Sequence, residues 1–249
     1  MKKMIKIDRD PCWLKEAVFP DNFKTYSIEG NGRIIATIRD ELALLFPTVQ
    51  EVASQGELAF VLVEEESLGE EGYAIEKNSS GVIVKANFPK GLLYGFYDIY
   101  RQVRQKQTLE NTYSVPDQSF RMINHWDNMD GSIERGYAGE SIFYKENTFR
   151  RDYDLVRQYA RLLASVGINA LSINNVNVHE FETRLILESS LPDVKMLNDI
   201  FASYGIKTFL SINFAAPKKL GGLHTADPLN PEVIEFWETT IAKIYQNQE

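Results

Sequence analysis

Cysteine is almost absent from this sequence. Cys12 stands alone among 249 residues, so no disulfide framework staples the chain. Histidine is scarce as well. His125, His179 and His224 lie far apart and match no metal-ligand spacing, so no metal and no cofactor are expected. No apolar run approaches the roughly 20 residues of a membrane span. The opening MKKMIKIDRD has a basic start but no apolar stretch after it; no signal peptide is expected, and the chain reads as cytoplasmic. Positive charge is in deficit. A net charge of −8 and a pI of about 5.1 speak against a nucleic-acid or anionic-membrane partner, which would favour a basic face. No glycine-rich phosphate loop of the GxGxxG or GxxxxGK type follows a strand, which lowers nucleotide-binding readings.

What is present is ordinary for a globular protein: 44% hydrophobic and 25% charged residues, enough for one large domain or two smaller ones. The first part, residues 1–115, mixes short strands and helices. GRIIATIRDELALLFP reads as a strand turning helical, with Ile38, Leu42, Leu45 and Phe46 at helical spacing. LAFVLVEEE reads as a buried strand with a solvated acidic end. GYAIEKNSSGVIVKAN reads as a hairpin, and PKGLLYGFYDIYRQVRQ as a helix with Leu93, Phe96, Tyr97 and Tyr100 on one face. The order β-α-β-β-β-α predicts a small α/β domain. NTYSVPDQS, with Pro116 and small polar residues, reads as the linker to a second domain over residues 116–249.

From Phe120 onward a strand–helix unit repeats. FRMINHWDN, INALSINNVN and IKTFLSINFA are the strands. RDYDLVRQYARLLASVG, LPDVKMLNDIFASYG and NPEVIEFWETTIAKIYQ are the helices, bounded by Gly167, Pro192, Gly205, Asn230 and Pro231. Apolar strands alternating with helices predict a parallel sheet.

Each of these strands starts apolar and ends in asparagine: Asn124 and Asn128, then Asn174, Asn175 and Asn177, then Asn213. These are the carboxyl ends, where ligands of parallel β/α sheets bind. Asparagine offers a donor and an acceptor, so several on one rim suit a ligand rich in hydroxyls. Trp126, in NHWDNMDGSIERGYAG, offers a flat indole to the apolar face of a sugar ring. Plainer readings stand beside these. An Asn at a strand end also completes turns. Trp126 also fits between strand and helix, His125 reads as a satisfied structural histidine, and Asp127 and Asp130 as partners of loop backbone.

The blocks RMINHWDNMDGSIERGYAGESIF, YARLLASVGINALSINNVN and YGIKTFLSINFAAPKKLGGLHTADPLNPEV, in order over residues 120 to about 245, resemble the α-glucuronidases of glycoside hydrolase family 67. GLLYGFYDIYRQ resembles the α/β domain that precedes their barrel. The resemblance implies an N-terminal α/β accessory domain followed by a (β/α)8 TIM barrel, of which this chain holds the first three β/α units, and a helical C-terminal domain. It implies an inverting glycoside hydrolase, without metal or cofactor, that releases 4-O-methyl-glucuronic or glucuronic acid from xylo-oligosaccharides in xylan degradation. The implied partner is a 4-O-methyl-glucuronosyl xylo-oligosaccharide, with a homodimer as the full-length assembly. By motif, Trp126 belongs to the uronic-acid pocket and Val176 sits by the 4-O-methyl group, where a methyl ether needs an apolar contact. Asn124, Asp127, Asn174, Asn175 and Asn213 join them on strand position alone.

An inverting glycosidase needs an acid and a base about 6.5–9.5 Å apart, with room for water between them. In the family these lie on later strands, so no catalytic residue is expected before Glu249, and the chain alone is expected to be inactive and prone to associate through its open sheet edges. Two other readings remain: a non-catalytic carbohydrate-binding remnant, and another β/α-barrel glycosidase such as a hexosaminidase-like enzyme.

Overall fold

The computed structural model describes residues 12–19 and 23–246. The MKKMIKIDRD stretch read for a leader lies outside the described residues. The chain forms two compact units. Of the described residues, one comprises 12–19, 23–121, 158–169 and 203–206; the other comprises 122–157, 170–202 and 207–246.

The first unit is a six-stranded mixed sheet. Strands β1 (Thr25–Ile28), β2 (Gln50–Glu51), β3 (Leu58–Leu62), β4 (Tyr73–Asn78), β5 (Gly81–Ala86) and β6 (Thr112–Ser114) lie in the order β2-β1-β3-β5-β4-β6. β2, β1, β3 and β5 pair in parallel; β4 is antiparallel to β5 and β6. The expected hairpin is β4–β5, closed between Asn78 and Gly81, where Asn78 Oδ1 accepts from Ser80 N at 2.7 Å. Helix α2 (Pro89–Arg104) packs on this sheet through fully buried Leu92, Leu93, Phe96 and Tyr97.

The structure departs from the expected pattern at two segments. The GRIIATIRDELALLFP segment is helical from its start, α1 (Arg33–Leu45), and the strand lies one segment earlier, at Thr25–Ile28. Gly32, at φ +97°, ends the extended chain. Ile35, Ile38, Leu42 and Leu45 then fall on one buried helical face, and that burial outweighs the strand preference of the β-branched residues. The segment read as a linker begins as β6, an edge strand whose short length and polar residues suit an edge.

The second unit holds the expected parallel sheet: β7 (Met122–Asn124), β10 (Ala170–Ser172) and β11 (Lys207–Phe209), in the order β11-β10-β7. A two-stranded ribbon, β8 (Tyr144–Lys145) and β9 (Thr148–Phe149), follows β7. Helices α3 (Tyr153–Ser165), α4 (Leu191–Ser203) and α6 (Pro231–Gln246) follow the three strands in sequence, with a short α5 (Ala216–Lys219) before α6; from residue 158 onward α3 belongs to the first unit. Their ends match the sequence signals. Asn230 Oδ1 accepts from Glu232 N at 2.9 Å as the cap of α6, and Gly167 and Gly205 take positive φ beyond α3 and α4. No helix among the described residues is long and apolar enough to cross a membrane.

Candidate functional site

The carboxyl ends of β7 and β10 are laced together by polar side chains. Ser172, the last residue of β10, is in register with Asn124. Its Oγ donates to Asn124 Oδ1 at 2.8 Å and accepts from His125 N at 2.9 Å. His125 Nδ1 lies 2.8 Å from the Ser172 carbonyl oxygen, which can only accept, so Nδ1 carries the proton. The His125 ring meets Phe143 edge-on at 5.2 Å. The Nδ1 contact with the Ser172 carbonyl fixes the His125 tautomer.

The loop after β7 folds back on itself. Glu134 N donates to the Trp126 carbonyl at 2.8 Å, Asn128 N to the Ser132 carbonyl at 2.9 Å, and Ser141 N to the Gly131 carbonyl at 2.8 Å. Asp130 Oδ1 accepts from both Ser132 N (2.8 Å) and Ser132 Oγ (2.6 Å). Gly131 and Gly136 take φ of +98° and +89°, and Glu134 takes φ of +57°, a conformation a non-glycine residue holds only when its surroundings impose it. The tip of NHWDNMDGSIERGYAG is therefore a built hairpin rather than a slack connection. It leaves Trp126 half-buried at its root.

Two residues of the loop after β10 hold that hairpin. Asn175 is buried. Its Nδ2 donates to the Trp126 carbonyl (3.2 Å) and to Asn128 Oδ1 (3.0 Å), its Oδ1 accepts from Asn177 N (2.9 Å), and its own N–H donates to the Asp127 carbonyl (2.8 Å). Glu182 is buried too, and its Oε1 accepts from Met129 N at 2.6 Å.

The predicted rim residues divide by accessibility. Asn124 and Val176 are exposed and Trp126 and Asn213 are half-buried, whereas Asp127, Asn174 and Asn175 are buried. Asn174 spends both ends of its amide on Ser211, donating to its carbonyl (3.0 Å) and accepting from its N–H (2.8 Å). Asn213 donates to the Val178 carbonyl (3.0 Å) and Thr183 Oγ1 (3.2 Å) and accepts from Ala215 N (2.8 Å). Burial pushes the Asp127 carboxyl above its ordinary range, against the opposing pull of the Ser141 hydroxyl and His125. Burial pushes His125 down, against the charge of Asp127 and the Ser172 carbonyl.

A cleft of about 620 Å³ opens between the two loops, lined by Asn128, Asp130, Glu134, His179, Phe181 and Glu182 among others. Sequence reasoning missed both this cleft and the role of Glu182. VNVHEFETRLI has no clean period, because Glu182–Ile186 is a 3₁₀ helix that turns Glu182 inward. A larger cleft, about 730 Å³, lies against α6; Glu188, Glu232, Glu235, Thr239, Thr240 and Lys243 are among its lining residues, and Lys243 pairs with Glu188 at 2.8 Å. Among the described residues, no group of three or more His, Cys, Asp or Glu side chains is placed to hold a metal ion.

Comparison with known proteins gives this geometry a context. The profile described as "Glycosyl hydrolase family 67 middle domain" matches residues 101–248. Alpha-glucuronidase A of Aspergillus tubingensis is 41% identical over 179 residues, which is 72% of this chain and 21% of that protein. Alpha-glucuronidase A of Emericella nidulans is 35% identical over 214 residues, 84% of this chain and 25% of that protein. The chain thus spans between a fifth and a quarter of the length of these relatives. Among solved structures, a GH138 enzyme targeting pectin rhamnogalacturonan II superposes with a TM-score of 0.62 at 14% identity, covering 90% of this chain and 37% of that one. A GH20 exo-beta-N-acetylglucosaminidase from Vibrio harveyi does so with a TM-score of 0.58 at 12% identity, covering 90% and 42%. At such identities the likeness is one of fold alone: a mixed α/β chain with a parallel sheet, shared with glycosidases.

Proposed function

Because this chain belongs to glycosyl hydrolase family 67, we propose that it forms part of an α-glucuronidase acting on (4-O-methyl-)glucuronosyl xylo-oligosaccharides. We read residues 1–115 as the accessory α/β domain. In residues 116–249, β7, β10 and β11 with α3, α4 and α6 are read as the first three β/α units of a (β/α)8 barrel. The observation that carries the reading is the hydrogen-bonded rim at the carboxyl ends of β7 and β10. There a half-buried Trp126 and an exposed Val176 stand on a backbone fixed by Asn175. An indole for the sugar face and a small apolar side chain for a methyl ether suit a methylated uronic acid. In this reading Asn124 and Asn213 serve the sugar side of the rim, while Asp127, Asn174 and Asn175 hold its frame.

The same chain supplies a binding wall rather than an acid–base pair. In this reading three carboxylates near the rim serve the loop frame: Asp127 with Ser141, Asp130 with Ser132, and Glu182 with Met129 N. The reading therefore predicts binding without hydrolysis by these 249 residues.

Isothermal titration with 4-O-methylglucuronic acid tests it. Wild-type chain should bind saturably. Trp126→Ala, checked for unchanged melting, should weaken binding about tenfold or more, the scale of losing one aromatic stacking surface in a pocket. Undiminished binding in a folded Trp126→Ala variant would remove Trp126 from the site.

A further inference from the structure

We infer that Asn175 is a specificity-determining positioning residue: it couples the Trp126 wall to the Val176 wall and so sets the site's preference for a 4-O-methylated uronic acid. The inference rests on the reading of this rim as a uronic-acid site. Val176 follows Asn175 directly in the chain, and the Asn175 amide reaches across to the Trp126 carbonyl at 3.2 Å. One buried side chain thus touches the backbone beneath one wall and carries the other wall on its own backbone. The Asn175 carboxamide oxygen, accepting from Asn177 N, fixes the turn in which Val176 sits. The second acceptor, Asn128 Oδ1, belongs to a side chain whose Nδ2 donates to Ser132 Oγ (3.0 Å) and the Glu134 carbonyl (2.8 Å). The tie therefore runs from Val176 through Asn175 into the whole hairpin that bears Trp126.

Buried hydrogen bonds of this kind are directional, so a displaced partner loses the bond rather than stretching it. A methyl-sized contact is sensitive to small shifts of its wall, because dispersion falls steeply with separation. Asn175 itself need not touch the ligand to act.

The test uses Asn175→Ser. Serine retains a short oxygen that can accept from Asn177 N, adds no buried charge, and is too short to reach the Trp126 carbonyl. Two readouts are taken on the intact 249-residue chain. The first is the ratio of affinities for 4-O-methylglucuronic acid and glucuronic acid. Wild type should favour the ether by about fourfold, the value of one buried methyl-sized contact, and Asn175→Ser should bring the ratio to parity. The second is ¹⁹F NMR of chain labelled with 5-fluorotryptophan, which reports Trp13, Trp126 and Trp237 separately. The Trp126 resonance should shift or broaden in the variant while the other two stay in place.

An unmoved Trp126 resonance overturns the coupling whatever the ligands do. A moved resonance with an unchanged ratio overturns the specificity role. If wild type binds neither acid, the uronate reading fails and the specificity role with it; if it binds both equally, the specificity role fails alone; in either case the fluorine signal decides the coupling. Should Asn175→Ser fail to fold, Asn175→Thr, whose hydroxyl is equally too short to reach the Trp126 carbonyl, takes its place, and both readouts apply to it with the same expectations.

Discussion

Arg161 Nε lies 2.6 Å from Glu41 Oε2, and both side chains are buried. The other oxygen, Glu41 Oε1, accepts from the Tyr204 hydroxyl at 2.7 Å. Three segments far apart in sequence thus meet on one carboxylate inside the first unit. Arg161→Ala leaves that carboxylate buried without its cation, and should cost about 3–5 kcal/mol of unfolding free energy. Replacing both partners, as Glu41→Leu with Arg161→Met, removes the stranded charge and should recover much of the loss. Urea midpoints of the single and double variants give the comparison; equal losses in both would assign the cost to packing instead of charge.

Two opposed pH dependences follow from His125 and Asp127. His125 is held below its ordinary value of 6.5 by burial. As pH falls below 6.5, the unfolded chain gains a proton that the folded chain does not, so this histidine lowers stability toward acid pH. Asp127 is raised above 3.8, again by burial. Between 3.8 and its raised value the folded chain keeps a proton that the unfolded chain has lost, so this group lowers stability as pH rises through that window. In urea melts across the acid range, His125→Gln should flatten the slope just below pH 6.5 and Asp127→Asn the opposing slope nearer pH 4. Unchanged slopes in both variants would show that neither group carries the dependence.

Gly91 lies in the first turn of α2, where alanine is the better helix former by about 1 kcal/mol. Its position reverses that advantage. A Cβ there would sit 2.3 Å from the Gly72 carbonyl oxygen and 2.7 Å from Ala86 Cβ. The closest atom is backbone and cannot swing aside. Gly91→Ala should therefore destabilise the chain by about 1–3 kcal/mol, as overpacking does. A variant as stable as wild type would mean that α2 lifts off the sheet at no cost.

Among the described residues, the parallel sheet of the second unit ends at β11. Phe209 is exposed there, and Phe214, just beyond, is 81% exposed. Open edges beside apolar surface promote association. Sedimentation velocity over a concentration series should show self-association of the 249-residue chain, reduced by Phe214→Ser. A single monomeric species at all concentrations would contradict this.

The sequence disclosed the elements whose pattern and boundaries agree. The β4–β5 hairpin has alternating apolar residues about an Asn-Ser-Ser-Gly turn. Helices α3 and α4 bury one face, and α2, α3, α4 and α6 each have a Gly, Pro or Asn at an end. It misled where local preference and tertiary burial disagree. Ile34, Ile35 and Thr37 look like strand residues, yet Ile35 and Ile38 are fully buried from a helix. At the site, the asparagines were legible by type and strand position, but their partners were not. Nothing local says that Asn174 spends its amide on Ser211 or that Glu182 turns inward to Met129, because both bonds join residues more than 35 apart.

The central claim is that the β7–β10 rim recognises a uronic acid and leaves its bond intact. One experiment addresses both halves: titrate the 249-residue chain with aldotriouronic acid, and follow bound ligand and freed 4-O-methylglucuronic acid in the same sample. The account predicts saturable binding, lost in Trp126→Ala, with no acid released. Release of the acid would place a working acid–base pair among the carboxylates already present. Absence of binding would show that the rim is not a sugar site.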